Sequence, residues 1–106
     1  MERLMAIRKG TLGVFCTTNA STIGCVSYLK AEGIDIGSDV GVVGYDDSEW
    51  MLLSCPTISA VRTNPEQIGK RAAEILRQLK GKEDAASSMQ ISAQLIVRES
   101  SFPSNC

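Results

Sequence analysis

Histidine is absent from this 106-residue chain. Its absence removes the commonest general base and any His-ligated zinc site. The cysteines, Cys16, Cys25, Cys55 and Cys106, include no CxxC pair, which argues against a structural zinc as well. Cys16 and Cys25 lie in apolar segments and read as small buried thiols of a reducing cytosol. A thiol nucleophile needs an activating base, and none stands nearby in the sequence. Basic blocks are also missing. Lys plus Arg number 11 against 12 for Asp plus Glu, a net charge of −1, so the chain carries no electrostatic footprint for DNA or a membrane surface. No apolar run approaches the roughly 20 residues of a membrane span. The opening "MERLMAIRKG" scatters charge through its length and has no apolar centre, unlike a secretory signal.

The composition is that of an ordinary globular domain, with 43 % hydrophobic and 22 % charged residues, and the length suits a single one. Leu4, Met5 and Ile7, set among charges and stopped by Gly10, predict a short helix. Leu12 to Thr17 predicts a buried strand. A helix follows, capped by Asn19 or Ser21, carrying Ile23, Val26 and Leu29 and ending at Gly33. Val40 to Tyr45 predicts a second strand and Ile58 to Val61 a third. "NPEQ" then opens a helix: Asn64 suits the N-cap, Pro65 the first helical position, and Gln67 a capping-box partner. Ile68, Ala72, Ile75, Leu76 and Leu79 form one stripe at helical spacing, and Gly81 closes it. After a polar loop, Gln90 to Val97 predicts a last strand, with a frayed tail beyond Ser100. Strands alternating with helices predict an α/β fold of three layers around a mostly parallel sheet.

In such sheets ligands bind beyond the carboxyl ends of the strands. The first strand delivers Thr17, Thr18 and Asn19 there, and the second delivers Asp46 and Asp47. Hydroxyl, amide and carboxylate groups suit a polyhydroxylated ligand such as a sugar. Trp50 offers an apolar face for stacking. Simpler roles compete with each of these. Asn19 serves equally as a helix cap, and Asp47 as a group that satisfies turn amides. Trp50, Met51, Leu52 and Leu53 suit core or interface. Arg62, Arg71 and Arg77 are most simply solvated surface cations.

Three segments, "GVFCTTNASTIGCVSYLKAEGIDIGSDVGVVGYDDSEW", "PTISAVRTNPEQIGKRAAEIL" and "QLIVRESS", together resemble the C-terminal part of lac-repressor/galactose-repressor family transcription regulators. The resemblance runs from Met5 to Ser100. It implies a truncated C-terminal lobe of a periplasmic-binding-protein-like (type I) fold. Residues 1–106 would be the C-terminal portion of an effector-binding and dimerisation domain, with 62–92 on the N-terminal-lobe side and the DNA-binding domain absent. It places Asp46, Thr18 and Asn19 at a small-molecule effector, a sugar or related compound. It places Ile23, Ser27, Trp50, Met51, Leu52 and Leu53 at a homodimer interface. It implies no enzyme activity, no cofactor, no metal, no membrane partner, a cytoplasmic location, and DNA contact only through the absent domain. The chain departs from the family pattern at Asn19, where an Asp is usual, and at Gly37 or Ser38, where a Pro is usual. Two rivals stand beside this reading. One is a ligand-free oligomerisation fragment. The other is a Mg²⁺ or phosphotransfer domain using Asp46 and Asp47 as an acidic pair.

Overall fold

The computed structural model describes residues 1–7, 9–80 and 88–103. They fall into two compact units, Met1–Arg62 with Gln94–Cys106, and Thr63–Ala93.

The first unit is built on a four-stranded sheet in the order β1 (Leu12–Phe15), β2 (Val40–Tyr45), β3 (Ser59–Arg62), β4 (Gln94–Ile96). The first three strands run parallel, with Phe15 beside Val43 and Tyr45 beside Val61. β4 is antiparallel, pairing Ala60 with Ile96 and Arg62 with Gln94. It is shorter than the expected Gln90–Val97, because β3 offers only four residues to pair with. β3 itself is shifted by one residue from expectation, to end on Arg62.

Along β2 burial alternates strictly, with Val40, Val42 and Gly44 buried and the residues between them half-buried. The continuous apolar look of "VGVV" therefore conceals one dominant buried face. Helix α2 (Asn19–Ala31) covers that face with Thr22, Cys25, Val26 and Leu29. Expected among the apolar positions of this helix, Ile23 instead points outward, 45 % exposed, and Thr22 takes the inward place. Met51, Ile58 and Ala60 complete the core, and Met1 and, from α1 (Glu2–Ile7), Met5 pack against it.

Between β2 and β3 lies α3 (Glu49–Leu53), a five-residue helix that periodicity did not reveal. Ser100 is buried in a 3-10 turn (Glu99–Ser101), donating through Oγ to the Val42 carbonyl at 2.6 Å and accepting there from the Ser59 amide at 2.8 Å.

The second unit holds α4 (Pro65–Leu79), whose N-cap and first-turn proline are the ones the sequence predicts, while Gln67 takes part through its amide. Asn64 caps it, its Oδ1 accepting from the Gln67 amide at 3.0 Å, and Pro65 occupies the first turn. Exposed Glu66–Lys70 and Arg71–Glu74 pairs add a few tenths of a kcal/mol each at most. None of its residues is fully buried, and Ile68 and Leu76 remain exposed. Gly81, the expected stop, lies outside the described residues.

Gly44 is the point of closest approach between sheet and helices. A Cβ there would lie 2.7 Å from Thr22 Cγ2 and 3.1 Å from Met51 Cε. Thr22 and Met51 are both fully buried and have nowhere to move. Gly44→Ala is expected to destabilise the fold by roughly 1–3 kcal/mol, the range of core overpacking. Urea unfolding measures this; an unchanged midpoint would show that α2 lifts from the sheet without cost.

Candidate functional site

β1 and β2 are parallel neighbours, so Thr17–Asn19 and Asp46–Asp47 leave the same edge of the sheet. The first turn is set by a capping box. Thr18, not Asn19 or Ser21, is the N-cap of α2, with extended backbone at φ −138°. Its Oγ1 accepts from the Ser21 amide at 3.0 Å, and Ser21 Oγ accepts from the Thr18 amide at 3.1 Å. The threonine three residues before a serine is what wins the cap. Asn19 is thereby freed from capping. Its Oδ1 accepts instead from the Trp50 indole Nε1–H at 2.9 Å, joining the start of α2 to α3.

At the exit of β2, Asp46 is exposed and its backbone takes the left-handed conformation, φ +64°. It is the non-glycine residue with positive φ among those described. Aspartate tolerates this region better than most side chains, yet such a residue costs on the order of 1 kcal/mol. The surrounding structure holds it there. The Asp46 amide donates to the Val61 carbonyl at 3.0 Å, and its carbonyl accepts from Ser48 Oγ at 3.2 Å.

Asp47 turns the other way. Arg98 meets it in a two-pronged pair, Nη1 to Oδ1 at 2.7 Å and Nη2 to Oδ2 at 2.9 Å. Arg62 adds Nη2 and Nε to Oδ2 at 2.7 and 3.1 Å. The Asp47 and Arg98 side chains are only 10 % and 9 % exposed. Arg98 Nη1 also donates to the Ile58 carbonyl at 2.8 Å. The Arg98 hydrogen bonds, opposed by burial and reinforced by Arg62, hold the Asp47 carboxyl down at about 2. Arg62 is thus an ion-pair partner, not the simply solvated cation its sequence setting suggested. Arg98 stands in the "QLIVRESS" segment of the family resemblance, but nothing local in the sequence shows that it is the partner of Asp47. An acid already committed to two guanidiniums cannot also serve as half of a magnesium-binding pair, which removes the physical basis of the phosphotransfer rival.

The residues expected at an interface separate by burial. Met51 is fully buried in the core of its own chain, which takes it off any association surface. Trp50 is half-buried against that core. Ile23, Leu52 and Leu53 are exposed, Leu53 at 85 %, and Ser27 is exposed one turn beyond Ile23. Contacts at both ends, Trp50 with Asn19 and Ser54 with Lys30, lay the α3 segment alongside α2. The exposed residues of both therefore share one side of the unit.

Residues 2–101 match the periplasmic binding protein-like domain family. The chain is similar to the HTH-type transcriptional repressor PurR of Vibrio parahaemolyticus serotype O3:K6, at 29 % identity over 98 residues, covering 92 % of this chain and 29 % of that protein. Among solved structures it is similar to a Staphylococcus saprophyticus protein classed with the transcription regulators, with TM-score 0.82 and 30 % identity, covering 95 % of this chain and 36 % of that one. It is also similar to the transcriptional regulator CelR in its cellobiose complex, with TM-score 0.73 and 29 % identity over 83 % of this chain and 27 % of that one. These proteins are regulators, not enzymes, and the chain spans about three tenths of the length of the curated relatives it matches.

Replacing Asp47 by Asn strands a buried guanidinium. Asp47→Asn is expected to cost about 3 kcal/mol at neutral pH, the low end for removing one partner of a buried pair. Because the folded-state value is depressed from 3.8 to about 2, the wild-type contribution is complete above the ordinary carboxylate range and is lost as pH falls through about 2. Urea unfolding of both proteins should therefore show the difference shrinking over that acid interval. A difference that stays constant down to pH 2 would contradict the ionic account.

Proposed function

The chain belongs to the periplasmic-binding-protein-like domain family, and from that premise we propose that it is the effector-sensing and dimerising part of a DNA-binding transcription regulator of the lac-repressor/galactose-repressor kind. The effector is a sugar or related small molecule, and Asp46 is its principal acceptor. The observation that carries this reading is the exposed Asp46 held in a left-handed conformation at the edge where parallel sheets bind ligands. Backbone strain retained at an exposed polar residue points to use. A carboxylate accepts two sugar hydroxyls at once, and Thr18 and Asn19 stand at the neighbouring strand exit to complete the wall. The cellobiose held by the similar regulator CelR favours a carbohydrate.

Sensing then works by differential affinity. An effector that prefers one arrangement of the full-length regulator shifts the population toward it and changes DNA affinity elsewhere in the protein. DNA contact belongs to parts of the regulator beyond this segment, consistent with the nearly neutral charge here. Action on DNA implies a cytoplasmic location. The dimer forms through the exposed Ile23, Ser27, Leu52 and Leu53, with Trp50 behind them.

Two measurements test the reading. Calorimetric titration of the full-length regulator against a panel of mono- and disaccharides should identify a binding sugar. Asp46→Ala should then weaken that sugar by roughly 1.5–3 kcal/mol, tenfold or more. An affinity held within about twofold would remove Asp46 from the site. For the dimer, sedimentation equilibrium should show a mass that falls to the monomer in Leu53→Asp, since apolar side chains at the centre of an interface dominate its stability. A wild-type monomer at high concentration would refute the association face.

A further inference from the structure

Two guanidiniums meet the Asp47 carboxylate, and they use it differently. Arg98 gives it the end of its fork, Nη1 to Oδ1 and Nη2 to Oδ2, and Nη1 donates again to the Ile58 carbonyl. With its side chain 9 % exposed, that charge is enclosed. Arg62 gives only the side edge of its fork. Its Nε and Nη2 both donate to Asp47 Oδ2, at 3.1 and 2.7 Å. The Arg62 side chain is 50 % exposed, and among the described residues nothing accepts from its Nη1. The end of this guanidinium therefore still offers one N–H on Nη1 and one on Nη2, a pair spaced for two oxygens of a single acceptor. Charge points the same way. Two guanidiniums on one carboxylate leave one positive charge in surplus, and Arg62 is where that surplus meets water. Arg62 also ends β3 beside the exposed Asp46, whose amide donates to the Val61 carbonyl at 3.0 Å.

We propose that Arg62 determines effector specificity: the Nη1–Nη2 end of its guanidinium takes an anionic substituent, a carboxylate or a phosphate, on the polyhydroxylated ligand whose hydroxyls Asp46 accepts. The effector class narrows from sugars at large to sugar acids and sugar phosphates. A neutral hydroxyl offers one oxygen to this pair of donors, whereas an anion offers two and makes both hydrogen bonds charge-assisted. The two exposed groups then divide the ligand, with the carboxylate reading hydroxyls and the guanidinium reading the anion. This inference rests on the reading of Asp46 as the effector's acceptor.

Calorimetry on the full-length regulator tests it with matched probes: D-glucose, D-glucuronate and glucose-6-phosphate, and the galactose counterparts of each. An acidic probe should bind roughly tenfold or more tighter than its neutral parent, the scale of a charge-assisted hydrogen bond. The uronate and phosphate arms show which anion is read. In Arg62→Gln the acidic and neutral probes should come within about twofold of each other, with the neutral parent held within about twofold of its wild-type affinity. Arg62→Lys keeps the cation and should keep part of the preference. An equal loss for acidic and neutral probes in Arg62→Gln would make Arg62 a support for Asp47 alone and overturn the proposal. Should Arg62→Gln fail to fold, the wild-type titrations decide. Neutral sugars bound as tightly as their acidic counterparts overturn the anion proposal and leave sugar sensing standing. A regulator that binds neither these probes nor any neutral mono- or disaccharide overturns both.

Discussion

The Asp47 carboxylate, shared between Arg62 and Arg98, is the interaction on which the strand-exit end of the sheet depends. It gathers the exit of β2, the end of β3 and the segment just after β4 into one joint. Each partner alone would be a poor occupant of its position. A guanidinium 9 % exposed needs a counter-charge, and a carboxylate 10 % exposed needs donors. Five hydrogen bonds meet both needs, four onto the carboxylate and one from Arg98 onto the Ile58 carbonyl. The adjoining Ser59 and Ser100 contacts then lock the same segment against the sheet.

That joint gives two adjacent aspartates different jobs. Asp47 turns inward and is held ionised. With its neighbour anchored, Asp46 is carried outward in a conformation that an unrestrained chain would relax. The hydrogen bond from the Asp46 amide to the Val61 carbonyl and that from the Ser48 hydroxyl to the Asp46 carbonyl complete the restraint. If Asp46 is the ligand acceptor proposed above, being fixed in this way means it would lose little entropy on binding, the advantage of a rigid strand end. On the neighbouring strand the capping box of Thr18 and Ser21 performs the same service for the start of α2. The Trp50–Asn19 hydrogen bond ties that turn to α3, and so to the side of the unit proposed to associate.

Local patterns were legible wherever the physics is local. Asn64, Pro65 and the 3.6-residue stripe marked α4, and the valines with their flanking turns marked β2. Alternation of strands and helices marked the α/β class and the strand exits, and the family resemblance narrowed these to a periplasmic-binding-protein-like lobe and to Asp46. What escaped was set by contacts remote in sequence. Arg98 lies 51 residues from Asp47, and nothing around "VRES" declares a buried partner. Arg62 looks solvated because its partner stands 15 residues away. α3 is too short to show a period, and Met51 reads like its apolar neighbours until the helix turns it inward. The cap of α2 fell one residue before Asn19 and three before Ser21, because threonine, asparagine and serine all make good caps and only the Thr18–Ser21 spacing of the capping box decides between them.

The account's central claim is the division of labour between Asp46 and Asp47. The most direct test is carbon-detected NMR of their side-chain carboxyl groups in the full-length regulator, before and after saturation with a binding sugar. The Asp46 carboxyl resonance should move on saturation while that of Asp47 stays where it is. Movement of the Asp47 signal with Asp46 unchanged would contradict the account.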